Sequence, residues 1–82
     1  MAGAQKLRDA FNGVASPDFT CTLALMDTKR AHDSEFEILT FVGTKSTGEK
    51  FTFSSRPVKR GEDVFEVATE TAQKLIDQES KP

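Results

Sequence analysis

The chain has 82 residues, 37% of them hydrophobic and 29% charged, with a formal net charge of −2 and a single Cys. That length suits one domain, residues 1–82, and seven Phe with clear periodicity argue against disorder. No apolar run of about 18 residues is present for a membrane-spanning helix, and a lone Cys excludes an internal disulfide.

The first element in the chain is a helix over residues 2–13. Ala4, Leu7, Phe11 and Val14 recur at helical spacing, with Ala10 beside them. Asn12-Gly13 supplies a stop, because Gly takes the left-handed conformation cheaply, and Ser16-Pro17 forces an extended turn. The start of the chain, Met1 to Arg8, lacks the apolar stretch of a secretory leader, so a cytoplasmic location is expected.

A strand over residues 18–26 follows. Phe19, Cys21, Leu23 and Leu25 alternate with Thr20, Thr22, Ala24 and Met26, the pattern of a half-buried strand. Residues 27–34 are polar and read as a loop. The second strand, 35–42, carries large apolar residues on both faces: Phe36, Ile38 and Val42 on one, Leu39 and Phe41 on the other. Residues 43–49 read as a turn. The third strand, 50–55, places Phe51 and Phe53 on one face. The linker 56–61 leads to a last helix over 62–78, with an apolar stripe of Val64, Phe65, Ala68, Ala72, Leu75 and Ile76, and residues 79–82 are expected to fray.

The expected fold class is α+β, in the order α-β-β-β-α: a three-stranded antiparallel meander with both helices packed on one face. Pairing Leu25 with Phe36 and Val42 with Phe51 makes the most apolar faces coincide. The expected core then holds Phe19, Leu23, Ile38, Phe51, Phe65 and Leu75. Leu39 and Phe41 fall on the outer face, with Met26 extending the strip and Thr20, Thr22, Thr52 and Ser54 around it. An apolar centre in a polar rim is the make-up of a contact surface. The expected function is therefore a small non-enzymatic protein-interaction module, accessory subunit or regulator, binding another protein or a second copy of itself through Met26, Leu39 and Phe41.

Residues 45–60 are basic, with Lys45, Lys50, Arg56, Lys59 and Arg60 against Glu49 alone, while residues 61–82 are predominantly acidic. Lys50, Arg56, Lys59 and Arg60 give an alternative reading, an RNA- or DNA-binding module. The element order, together with His32-Asp-Ser-Glu-Phe36, resembles the double-stranded RNA-binding domain. That family clamps phosphates with a Lys-rich start to its last helix. Here Gly61-Glu62-Asp63-Val64-Phe65-Glu66 stands in that place, so the resemblance covers a short loop and a common topology.

Catalytic motifs are not evident. Gly43–Lys50 has the two glycines of a phosphate loop, but Glu49 takes the place of the required Lys and a strand follows instead of a helix. Asp27, His32 and Asp33 share a segment without the spacing of a metal site. Cys21 points into the expected core, where a thiol is inert. No catalytic residue, metal or cofactor is therefore expected.

Overall fold

The computed structural model describes residues 2–80. Its elements are α1 (Ala2–Ala15), β1 (Phe19–Ala31), β2 (Ser34–Lys45), β3 (Lys50–Ser54), β4 (Val58–Lys59) and α2 (Val64–Ser80). The sheet is an antiparallel β1-β2-β3 meander, and the short β4 also pairs with β2. The class is α+β and the helices pack against the sheet, as the order of periodicities implies.

The expected loop at 27–34 is instead mostly strand. β1 and β2 pair out to Ala31 and Ser34, leaving only His32 and Asp33 as the turn. His32 sits at φ 56°, the positive value that the first loop residue of a type II′ hairpin turn requires. Alternating Thr, Lys and Arg can remain in a strand here because the hairpin projects beyond the helices, and Leu25–Glu35 are all exposed. α1 likewise runs through Gly13 to Ala15, and α2 starts after Asp63. Asp63 caps α2, its side chain accepting from the Phe65 N–H at 2.9 Å. At the far end α2 includes Glu79 and Ser80; residues 81–82 of the expected frayed tail lie outside the described residues.

The largest correction concerns which sheet face is inside. The β1–β2 register shifts between Cys21 and Leu23. The bulge there inserts one extra residue, so side chains after it change faces. Phe19 and Cys21 are buried before the bulge and Ala24 after it, while Leu23 and Leu25 are 50% and 46% exposed. Gly43 makes the bulge fit. A side chain at Gly43 would run into the Thr20 carbonyl and come within 2.8 Å of the Cys21 Cα. β3 is shifted by one relative to expectation: Phe51 pairs with Gly43, and Phe53 with Phe41.

Leu39 and Phe41 are thus in the core, both fully buried. Phe41 stacks on Phe11 of α1 with ring centroids 4.6 Å apart; Phe11 also stacks on Phe51 at 6.0 Å, and Phe19 meets Phe51 edge-on at 5.5 Å. Leu7, Phe11 and Ala15 bury one stripe of α1; Val67, Ala68, Thr71, Ala72 and Leu75 bury one stripe of α2. Phe19, Phe51 and Leu75 belong to this core as expected. Leu23 and Phe65, which were also expected there, are exposed, and Ile38 is only partly covered.

Between β3 and β4 the ladder on β2 is bridged by Ser55. Its N–H donates to the Leu39 carbonyl at 2.7 Å, and its hydroxyl oxygen accepts from the Leu39 N–H at 3.0 Å. Both polar backbone groups of a buried residue are satisfied, and Pro57, without an N–H, sits in the gap between the two strands where none is needed.

Candidate functional site

Directly paired residues share a sheet face, and residues alternate along a strand. With Leu39, Phe41 and Gly43 inside, the outer face of β2 presents Phe36, Ile38, Thr40, Val42 and Thr44. Across from them stand Lys29, Asp27, Leu25, Leu23 and Thr20 on β1, Thr52, Ser54 and Lys50 on β3, and Lys59 on β4. The apolar strip is therefore Leu23, Leu25, Phe36, Ile38 and Val42. Leu23 and Leu25 are about half exposed, and the three β2 residues are partly covered by their sheet neighbours. Thr40 sits within the strip between Ile38 and Val42, opposite Leu25, and its hydroxyl lies 3.1 Å from that of Ser54, which borders the strip on the β3 side. Asp27, Lys29 and Lys59 border it toward the hairpin.

An outer apolar strip was expected, but from other residues. Of the expected set, Leu39 and Phe41 are core residues and cannot touch a partner. Met26 pairs with Leu39, so it lies on the helix side of the sheet, yet it is 47% exposed because the helices do not reach that far. Two facts could have signalled the exchange: Gly43 inside a strand pattern marks a bulge or a close backbone approach, and β2 was apolar on both faces from the start.

The basic residues do not form one cluster. Arg56 is held by carboxylates on both sides: Nη2 lies 2.8 Å from Glu62 Oε2, and Nε lies 2.9 Å from Glu70 Oε1. Lys45 is paired with Glu49 at 3.3 Å and with Glu79 at 2.9 Å. Two of the five basic residues of the 45–60 segment, Lys45 and Arg56, are thus paired with carboxylates within the molecule, at Glu49, Glu62, Glu70 and Glu79. Arg60 lines a groove with Asp33, Glu35 and Glu37. Lys50 pairs beside Thr44 and Lys59 beside Phe36, which separates them by roughly 26 Å along β2 at ~3.3 Å per residue.

The Arg56 guanidinium, with help from the Lys59 N–H, holds the Glu62 carboxyl down to about 2 from its ordinary 4.5, and it lowers Glu70 as well. A carboxylate with a depressed folded-state pKa contributes its full stability above its ordinary pKa and loses it as pH falls toward the folded value. Glu62→Gln should therefore melt below wild type at pH 7, and the gap should close between pH 4.5 and 2. Thermal melts of both proteins across that range test it; a gap independent of pH would show that the pair contributes nothing. Cys21, the single thiol, is buried. Burial pushes its pKa up, against the opposing effect of hydrogen bonds with the backbone at Leu23 and Val42.

No helix among the described residues is long and apolar enough to cross a membrane. Compared with known proteins, the chain matches no family model, no curated protein and no solved structure.

Proposed function

We propose that this protein is a non-enzymatic interaction module, an accessory subunit or regulator, that binds another protein through the open face of its sheet. The observation that carries this reading is the uncovered strip of Leu23, Leu25, Phe36, Ile38 and Val42. Covering a half-exposed Leu contributes on the order of 1 kcal/mol, so the strip can anchor a modest-affinity contact once the cost of association is subtracted. Charge indicates the partner's chemistry. The outer face carries Lys29, Lys50 and Lys59 against Asp27. Two copies docked face to face would oppose these cations, so the fitting occupant is a different protein with an apolar centre and an acidic rim. A cytoplasmic setting agrees with a lone, buried, unpaired Cys21.

A second reading rests on Phe36. It is partly exposed between its sheet neighbours Lys29 and Lys59, and an aromatic ring flanked by cations can stack a base of single-stranded nucleic acid. The two readings separate in one experiment. Peptides are selected from a displayed random library on the wild type and tested against Leu23→Asp, with circular dichroism melts to check folding. The expected winners combine apolar residues with Asp or Glu, and they lose about tenfold or more in affinity on Leu23→Asp. Winners indifferent to Leu23→Asp overturn the protein-binding reading. A low-salt gel shift of mixed single-stranded RNA that survives Leu23→Asp but is lost on Phe36→Ala favours the second.

A further inference from the structure

β1 is an edge strand: β2 pairs along one side, and no strand among the described residues pairs along the other. The chain protects one end of that edge itself. The Asn12 side chain from α1 takes the place of a neighbouring strand there, with Nδ2 donating to the Cys21 carbonyl at 3.0 Å and Oδ1 accepting from the Cys21 N–H at 2.7 Å. Past the buried Ala24 the cover ends, and Leu25–Ala31 are all exposed. An uncovered edge is a template for another strand.

The geometry points to a second copy of this chain on that edge: two β1 strands pair antiparallel about a two-fold axis at Thr28, joining two sheets into one. The choice of centre follows from the side chains. A two-fold axis normal to the sheet keeps outer residues opposite outer residues. Centred on Asp27 or on Lys29, it would set like charges against each other. Centred on Thr28, it places Asp27 of each copy opposite Lys29 of the other, twice by symmetry, and Leu25 opposite Ala31. Opposite charges directly across a strand pair stabilise it, and like charges destabilise it. Thr28 is also the midpoint of the open stretch Leu25–Ala31, so the exposed edge of one copy matches that of the other end to end. The Asp27–Lys29 contacts would lie beside Ile38 and Phe36, their neighbours on β2, which partly exclude water.

This association uses the strand edge, and it stands apart from the proposed contact on the open face. A short edge pairing covers little area, so it is weak and reversible. Analytical ultracentrifugation of the full chain at low ionic strength, up to about millimolar concentration, should detect a monomer–dimer equilibrium in wild type. Asp27→Lys and Lys29→Asp should each weaken it by about tenfold or more, since each turns two attractive contacts into two repulsive ones. The double variant Asp27→Lys/Lys29→Asp should regain wild-type association, and an equimolar mixture of the two single variants should form a mixed dimer. A wild type that stays monomeric throughout overturns the proposal. So do single variants that associate like wild type, or a double variant that does not recover. The dimer is read by ultracentrifugation of the chain alone and the open-face contact by peptide affinity and its loss on Leu23→Asp, so the two readings fail or hold independently.

Discussion

Phe41→Ala should remove most of the protein's stability. The ring is fully buried, stacks on Phe11 at 4.6 Å and lies beside Phe53 on the neighbouring strand. Truncating a buried Phe costs about 3–5 kcal/mol in lost transfer energy and residual cavity. A domain of this size has on the order of 5 kcal/mol in total. Urea titrations followed by circular dichroism should place the midpoint of the variant near zero denaturant. Phe65→Ala is the matched control. Phe65 is 39% exposed at the start of α2, so its truncation should cost less than about 1 kcal/mol. If the two variants lost stability equally, the assignment of the inner face would be wrong.

Gly43→Ala should be nearly as damaging, for a different reason. The added methyl group would meet the Thr20 carbonyl and the Cys21 Cα, both backbone atoms of β1. A flexible side chain could swing away, but the strand can yield only by giving up pairing at the bulge. Overpacking a core commonly costs about 1–3 kcal/mol, and a backbone obstruction belongs at or above the top of that range. Gly13→Ala provides the contrast, because open space surrounds its position in α1. In a helix it should gain up to about 1 kcal/mol. Thermal melts of the two variants should therefore move in opposite directions, and a Gly43→Ala melt at the wild-type temperature would mean that β1 and β2 are less closely apposed than the bulge requires.

The elements themselves follow from local chemistry. Helical spacing of Leu7, Phe11, Ala68, Ala72 and Leu75 marks α1 and α2, and strict alternation marks Phe19–Cys21 and Phe51–Phe53; the structure buries all of these on the expected side except Phe53, which packs partly buried against the core. The α+β class and the meander order needed nothing beyond these periods and the turn residues between them. An apolar outer face was also legible, because a strand with large apolar residues on both sides must leave one side uncovered when the helices lie on the other.

Only the tertiary structure decided which side. Alternation carries a phase, and a single bulge at Thr22 reverses it for the rest of β1 while leaving the composition unchanged. Leu39 and Phe41 went inside because Gly43 lets β1 approach closely and Phe11 supplies a ring for Phe41 to stack on, and both facts depend on residues distant in sequence. Phe36, Ile38, Val42, Leu23 and Leu25 were displaced to the surface by the same shift. Charge behaved similarly. The basic 45–60 segment and the acidic end of the chain are visible in the sequence, but whether they face a ligand or each other depends on where α2 lies. Arg56 between Glu62 and Glu70, and Lys45 against Glu79, face acidic partners, while Lys50 and Lys59 stand on the outer sheet face. The period of each element is local because neighbouring side chains set it; phase and pairing were decided by contacts between distant segments, because a strand apolar on both faces leaves its register open and Gly43 was the one local mark of the bulge.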